Sequence, residues 1–143
     1  MADFQPANSN FEVVVRESFG RQTAMSTIGA QMTKVVPGAV VIEIPYSPDL
    51  TQQNGFMHGG IITAIADSAC GYAAYTLMPE GADVLAVEFK INLLAPASGE
   101  RFAAHGRVLC PGRTITVSAA DVFAHDWANE TLIASMLATL IRR

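Results

Sequence analysis

The segment NGFMHGG, residues 54–60, runs directly into the apolar stretch IITAIADSACGYAAYTLM, residues 61–78, and this junction decides the fold. Two consecutive glycines allow a sharp turn and leave backbone N–H groups exposed where a helix would begin. The apolar stretch carries a single charge, Asp67, and a lone carboxylate is costly to bury unless it is paired or used. The sequence therefore predicts a long buried helix with a polarising N-terminus and an acid further along, a pairing suited to attack on a carbonyl compound.

The composition predicts one domain, residues 1–143, that associates with itself. Hydrophobic residues make up 50% of the chain and charged residues 15%, which leaves apolar surface for a subunit interface. We therefore expect a homodimer or a homotetramer. The net charge is −4 and no cluster of Lys or Arg is present, which argues against a nucleic-acid partner.

The cysteines and the N-terminal residues indicate the compartment. Cys70 and Cys110 have neither metal-binding nor redox spacing, and residues 1–10 lack the basic and apolar regions of a signal peptide. We therefore predict a cytoplasmic protein with structural thiols and no metal. Residues 59–78 have the length of a membrane span, but Asp67 at the centre and the lack of basic flanks favour a buried core helix.

Hydrophobic spacing predicts the order helix, two strands, long helix and four strands. The predicted helices cover residues 10–20 and 59–77, and the predicted strands cover residues 25–36, 39–46, 84–94, 101–110, 114–124 and 131–141. In the first helix, Asn10 is the predicted cap and Gly20 the predicted end. Elements that are segregated in this way indicate an α+β fold, in which an antiparallel sheet curves around the long central helix.

The strand at residues 84–94 has the clearest alternation of the six. Its apolar residues predict one buried face, which comprises Leu85, Val87, Phe89, Ile91 and Leu93. The polar residues Glu88, Lys90 and Asn92 are predicted on the opposite face.

The triplet at residues 58–60, the acid Asp67 nine residues after His58, and an amide side chain upstream resemble the hotdog-fold acyl-CoA thioesterases of the phenylacetate-degradation, or PaaI-like, type. The resemblance covers the chain from residue 25 to the C-terminus. It implies a curved sheet around a central helix, edge-to-edge pairing of two subunit sheets, active sites at the dimer interface and frequent tetramers. It also implies hydrolysis of acyl-CoA without a separate cofactor, because coenzyme A is part of the substrate.

The resemblance assigns roles to individual residues. Asp67 matches the catalytic acid, which acts as base or nucleophile, and Gly59 matches the glycine whose N–H polarises the thioester carbonyl. Gln52 matches an upstream amide by its spacing, with Asn54 as the alternative if the loop is shifted. Several members carry Ser or Thr on the strand after the helix to position the attacking water, but this chain has Ala86 there. The water must then be held differently, or the activity is weaker or the substrate different.

Three of these residues also have structural interpretations. Asp67 could be a buried acid that is tied to a neighbouring hydroxyl or amide. For His58 we favour a role in capping the helix or bonding the loop, without proton transfer, since Asp67 already supplies the base. Gly60 is either a turn residue or a part of the substrate site.

Aromatic and methionine side chains near the motif indicate the acyl group. Phe56, Met57, Tyr72 and Tyr75 either line an apolar pocket or belong to the ordinary core. A pocket of this kind predicts a preference for aromatic or medium-chain acyl-CoA over acetyl-CoA. Arg113, in the turn at residues 111–114, suits a phosphate of coenzyme A, or it is a solvated turn arginine.

Two other functions remain open from the sequence. A hotdog protein could bind acyl-CoA and signal its level without cleaving it, or it could act as a hydratase or dehydratase on acyl thioesters. The occurrence of Asp67 together with Gly59 favours hydrolysis over both. Release of free thiol from a panel of acyl-CoA esters distinguishes the three functions.

Overall fold

The computed structural model describes residues 3–143 as three helices and a six-stranded antiparallel sheet. The helices are α1 (Phe11–Gly20), α2 (Thr23–Thr27) and α3 (Gly59–Tyr75), and a 3₁₀ turn (Pro48–Leu50) precedes α3. The strands are β1 (Gln31–Val36), β2 (Ala39–Pro45), β3 (Val84–Leu93), β4 (Arg101–Cys110), β5 (Ile115–His125) and β6 (Glu130–Arg142). The strand order is β1-β2-β4-β5-β6-β3, so β1 and β3 form the two edges of the sheet.

Helix α3 packs against strands β2 to β6 and lies at the centre of the hydrophobic core. Gly106 on β4 allows a close approach, since a Cβ there would lie 2.2 Å from the carbonyl oxygen of Ala69. The same core includes Val15 of α1 and Leu140 of β6. The predicted α+β architecture, a sheet on a long central helix, is confirmed. Within residues 3–143, no helix is both long and apolar enough to cross a membrane.

Helix α1 has nearly the predicted bounds but not the predicted cap. Asn10 occupies the cap position, and its side chain makes no capping hydrogen bond. Instead, the side-chain oxygen of Asn8 accepts from the Asn10 N–H at 2.9 Å, and the Asn8 carbonyl accepts from the Phe11 N–H at 3.2 Å. The prediction of Asn10 as the side-chain cap is therefore wrong, because Asn8 organises this turn.

The first strand begins six residues later than predicted. The chain before it forms α2, in which the Gln22 carbonyl accepts from the N–H groups of Met25 and Ser26 at 3.0 and 3.3 Å. Gly29 then has a φ of +74°, a left-handed conformation that a strand does not include. Pairing with β2 begins at Gln31, so the strand begins there. Residues 22–30 thereby bring the end of α1 beside α3.

Strand β3 contains a β-bulge that breaks the predicted alternation. Its register against β6 shifts between Ala86 and Glu88, so Val87 has no paired residue on β6. Leu85 pairs with Ile141 and Phe89 pairs with Ala138, three residues earlier on β6, so Leu85 and Phe89 lie on opposite sides of β3. The prediction that five alternate apolar residues share one face is wrong, because one extra residue inverts the side on which the preceding residues lie.

Most of the apolar residues of β3 are exposed rather than buried, and only Val84 and Ile91 are partly buried. Val87, Phe89 and Leu93 have 56%, 42% and 58% of their surface accessible. Because β3 is an edge strand, nothing within residues 3–143 pairs with its outer edge. The predicted burial is thus wrong for a single chain, and β3 presents an apolar edge of the kind to which another strand can add.

Candidate active site

Helix α3 begins at Gly59 and exposes one unused backbone donor there. His58 caps the helix, since its Nδ1 atom accepts from the Gly60 N–H at 2.8 Å and its carbonyl accepts from the Ile61 N–H at 2.9 Å. The Gly59 N–H has no acceptor within residues 3–143. The helix start therefore presents a free N–H, with the positive end of the helix dipole behind it. Capping is the role that the sequence favours for His58, and Gly60 takes part in the same turn.

A cavity of about 500 Å³ opens beside this N–H, and we call it the glycine cavity. Most of its wall is apolar and includes Phe56, Met57, Ile62, Leu93 and Ile133. Gln52 supplies a polar side chain, whose carboxamide oxygen accepts from the Asn54 N–H. Asn54 itself is exposed and lies outside the cavity wall. Of the two candidate amides, Gln52 is therefore the one that lies beside Gly59.

A second cavity, of about 400 Å³, contains Asp67, and we call it the aspartate cavity. Helix α3 provides one wall, with Asp67, Ser68, Gly71 and Tyr72. The start of β3 and the end of β6 provide an apolar wall, with Val84, Leu85, Ala86 and Leu140. Ala86 thus lies in the same cavity as Asp67, as the alignment with the thioesterase strand implies.

The Asp67 carboxylate is half-buried and has no partner within the described chain. Burial raises the pKa of Asp67 above its ordinary value. No hydrogen bond or ion pair to this carboxylate occurs within residues 3–143. Asp67 therefore has no hydroxyl or amide partner of the kind that a purely structural role would require. A desolvated carboxylate without a partner is a common feature of functional sites.

Gly59 and Asp67 are too far apart to act on one carbonyl group within a single chain. They are eight residues apart on α3, which corresponds to about 12 Å along the helix axis. They also line different cavities. The expected pairing of both groups at one site is therefore absent from the single chain, because a helix separates its N-terminus from a side chain two turns further along.

The four side chains predicted to form an acyl pocket are also divided. Phe56 and Met57 line the glycine cavity, whereas Tyr72 lines the aspartate cavity. Tyr75 is buried and contacts the ring of Tyr72, with the ring centroids 6.3 Å apart, but it lines neither cavity. Within one chain these four side chains do not form a single pocket, and Tyr75 belongs to the core.

The end of α1 and the segment that follows it contribute residues that the sequence did not indicate. Ser18, Arg21 and Gln22 line the aspartate cavity. The hydroxyl groups of Ser18 and Tyr72 are 3.1 Å apart, and the Ser68 hydroxyl donates to the Gln22 carboxamide oxygen at 3.2 Å. The only signal in the sequence was a cluster of polar residues after an amphipathic helix, and the strand predicted from residue 25 concealed their position.

Arg113 lies in the exposed turn between β4 and β5. The neighbouring Thr114 carbonyl accepts from the Arg142 N–H at 2.8 Å, and Arg142 pairs with Val84 at the start of β3. The turn is therefore at the same end of the sheet as the aspartate cavity. The guanidinium of Arg113 has the charge and geometry to bind a phosphate group.

The remaining histidines and cysteines lie outside both cavity walls. His105 contacts Phe123 edge to face at 5.4 Å, and the Nδ1 atom of His125 is 3.4 Å from Glu130. Burial raises the pKa of Cys70 to about 12, so this thiol stays neutral. Within residues 3–143, no group of three or more His, Cys, Asp or Glu side chains is arranged to hold a metal ion.

Comparisons with known proteins identify the family. The sequence profile of the thioesterase superfamily matches residues 54–128, from the loop before α3 to the turn after β5. A thioesterase family protein from Silicibacter pomeroyi is 51% identical, with a TM-score of 0.91 over 92% of this chain and 97% of that chain. A protein of Saccharolobus solfataricus that is named as an inferred esterase is 40% identical over 80 residues, which are 56% of this chain and 56% of that relative.

The fold also occurs in a more distant protein. The PaaI protein of the E. coli phenylacetic acid degradation operon has a TM-score of 0.85 over 96% of both chains, at 16% identity. This likeness concerns the fold alone, and it agrees with the predicted hotdog architecture. With the family profile and the similarity to the Silicibacter protein, the chain belongs to the thioesterase superfamily and has the hotdog fold.

Proposed function

We propose that the protein hydrolyses acyl-CoA thioesters in an active site that two copies of the chain build together. Gly59 and Gln52 come from one copy, and Asp67 comes from the other. The observation that carries the proposal is that a free helix N-terminal N–H and an unpartnered carboxylate lie two helical turns apart in one chain. Only a second copy can bring such a carboxylate to the carbonyl group held at Gly59.

The Gly59 N–H stabilises the charge that forms on the thioester oxygen. Attack on the carbonyl carbon converts its oxygen into an anion, and an N–H donor in a sheltered site stabilises that anion by about 3–4 kcal/mol. The dipole of α3 adds to this effect because Gly59 is its first residue. The Gln52 carboxamide, which lines the same cavity, orients the thioester beside it.

Asp67 supplies the second half of the chemistry as base or nucleophile. As a base, it takes a proton from water while the water oxygen bonds to the carbonyl carbon. The C–S bond then breaks, and the sulfur of coenzyme A leaves with that proton as a thiol. As a nucleophile, the carboxylate bonds to the carbonyl carbon directly, the C–S bond breaks and coenzyme A leaves as a thiolate, and water then hydrolyses the resulting anhydride and restores the carboxylate. Burial raises the pKa of Asp67 and so makes it a better proton acceptor than an exposed aspartate.

Strand β3 is the surface through which we expect the two copies to associate. Its outer edge is unpaired, and its apolar side chains Phe89 and Leu93 are 42% and 58% exposed on the side of α3. An antiparallel pair of β3 strands around a two-fold axis would satisfy the backbone groups and cover these side chains. The product is a homodimer, or a homotetramer if dimers associate further.

The residues that line and adjoin the two cavities support a substrate with an apolar acyl group and suggest where the nucleotide of coenzyme A binds. The glycine cavity, with Phe56 and Met57, suits an aromatic or medium-chain acyl group better than an acetyl group. Each additional buried methylene should contribute about 0.8 kcal/mol until the cavity is full. Arg113, at the end of the sheet near the aspartate cavity, is the candidate for a phosphate of coenzyme A.

Thiol release from a panel of CoA esters tests this function. The panel comprises acetyl-CoA, a series of longer straight chains, phenylacetyl-CoA and benzoyl-CoA. We expect the highest kcat/KM with an aromatic or medium-chain ester, and a loss of at least about a hundredfold in Asp67→Asn because the base is absent. A maximum at acetyl-CoA would contradict the acyl preference. Tight binding of the esters without thiol release would instead identify an acyl-CoA-binding module.

A further inference from the structure

Two side-chain hydrogen bonds with matching spacing attach the end of α1 to α3. One joins the hydroxyls of Ser18 and Tyr72 at 3.1 Å, and the other runs from the Ser68 hydroxyl to the Gln22 carboxamide oxygen at 3.2 Å. Ser18 and Gln22 are four residues apart in the chain, and so are Ser68 and Tyr72. The two hydrogen bonds therefore lie side by side. They fix the Gln22 carboxamide at the rim of the aspartate cavity, beside the residue that follows Asp67.

An attacking water in this cavity needs a partner besides Asp67. A water that is bonded only to its base can rotate, and orientation contributes strongly to the rate of such a step. The wall opposite α3 gives it no hydrogen-bond donor, because Val84, Leu85, Ala86 and Leu140 carry no polar side-chain atoms and the Asp83 carboxylate, which accepts from the Val84 N–H at 2.8 Å, can only accept. The partner must therefore come from α3 or from the segment after α1.

The hydrogen bonds leave Gln22 as the best placed of these groups. The hydroxyls of Ser18 and Ser68 are engaged in the two bonds. Arg21 also lines the cavity, and its charge opposes the rise in pKa that burial causes at Tyr72 and Tyr75, which lie towards the C-terminal end of α3, whereas Gln22 is bonded to the residue next to Asp67. The carboxamide oxygen of Gln22 accepts from Ser68, and its NH₂ group has no acceptor within residues 3–143.

We infer that Gln22 is the residue that positions the attacking water in the aspartate cavity. Its NH₂ group donates to one lone pair of the water oxygen, while the other lone pair bonds to the carbonyl carbon and the water proton passes to Asp67. Gln22 itself gains and loses no proton. Ser68 holds the carboxamide in place, and Ala86 opposite leaves room for the water. This inference rests on the proposed thioester hydrolysis.

The test compares three kinds of variant of the full chain: one that removes the Gln22 carboxamide, a matched control, and one that should rescue the activity. Gln22→Met removes the carboxamide at similar size, and we expect kcat to fall about ten- to hundredfold with KM nearly unchanged. Arg16→Met is the matched control, since it removes a different bond that holds α1, from the Arg16 guanidinium to the Met32 carbonyl at 2.9 Å. We expect the control to retain the wild-type kcat.

A rescue variant distinguishes a hydrogen bond from Gln22 to the water from a purely structural role of Gln22. Ala86→Ser places a hydroxyl on the opposite wall, and in the Gln22→Met background it should restore most of kcat. Wild-type kcat in Gln22→Met, an equal loss in Arg16→Met, or failure of the rescue would each overturn the inference. Absence of thiol release from the wild-type protein would overturn the proposed function together with this inference, whereas an active wild type that is insensitive to Gln22→Met overturns the inference alone.

Discussion

The backbone N–H of Gly59 can be removed without disturbing the helix that it begins. Gly59 is the first residue of α3, a position at which proline is tolerated. His58 before it has φ −61° and ψ 136°, the extended conformation that a following proline requires. We expect Gly59→Pro to lower kcat/KM by about 10²–10³-fold, the usual effect of deleting an oxyanion donor, and circular dichroism to show unchanged helix content.

Gly59→Ala is the control for this substitution. It keeps the N–H and adds a Cβ, whose close neighbour is the flexible end of the Leu93 side chain at 2.8 Å. We expect this variant to retain most of the activity, because Leu93 can move. Equal losses in both variants would show that space at the helix start matters and that the N–H does not.

The Asp67 carboxyl group should determine the acid side of the pH profile. Burial raises its pKa, and only the ionised form can act as base or nucleophile. We therefore expect kcat/KM to fall as the pH decreases through a value above the ordinary range of aspartate. The residual activity of Asp67→Asn should lack this step. A profile of the same shape in both proteins would assign the step to another group.

The same carboxyl group should also lower the stability of the folded protein. Because its pKa is raised on folding, the ionised form is less stable in the folded state than in the unfolded chain. The resulting loss of stability is present at neutral pH and disappears as the pH falls through the raised pKa. We expect Asp67→Asn to have a higher Tm than wild type at neutral pH and a similar Tm in acid. A lower Tm at neutral pH would reveal a stabilising contact to the carboxylate.

Among the elements, β3 should carry the interface between two copies. Phe89→Glu places a charge on its apolar side, next to the unpaired edge, and should yield a monomer in light scattering with little hydrolysis. Leu137→Glu, on the neighbouring strand β6 and 52% exposed, is the matched control and should stay dimeric and active. A dimer that persists in Phe89→Glu would place the interface elsewhere.

Periodicity and turn residues were sufficient to predict most elements. Helix α3 and strands β3 to β6 have bounds within two residues of the prediction, because apolar alternation and the Pro-Gly turns are local signals. The thioesterase family and the hotdog fold also followed from a local motif at residues 58–67. These features depend on neighbours in the chain and can therefore be read without the tertiary structure.

Of the features that were not predicted, the bulge in β3 and the contribution of Gln22 depend on contacts between distant segments, whereas α2 depends on the local backbone. Helix α2 replaced the start of a strand because Gly29 adopts a left-handed conformation. The bulge beside Val87 follows from the pairing of β3 with β6, which the pattern of β3 does not reveal. The contribution of Gln22 depends on a hydrogen bond to Ser68, 46 residues further along the chain. Neither spacing nor composition indicates such a contact.

At the scale of the whole molecule, one chain keeps the two cavities separate, and we propose that they are the two halves of a shared site. The glycine cavity has the N–H donor, the Gln52 carboxamide and an apolar wall. The aspartate cavity has Asp67 and the polar segment after α1. A two-fold axis perpendicular to β3, at its outer edge, would bring each half against the other half of a second copy, and would produce two equivalent sites per dimer.

A mixed dimer tests this shared site most directly. Asp67→Asn and Gly59→Pro chains are co-expressed with different affinity tags, and the dimer that contains one chain of each kind is purified. One of its two sites then combines an intact Gly59 with an intact Asp67, so we expect about half of the wild-type turnover per dimer, although both parent dimers are inactive. A mixed dimer as inactive as its parents would show that Gly59 and Asp67 act within one chain, and would contradict the account.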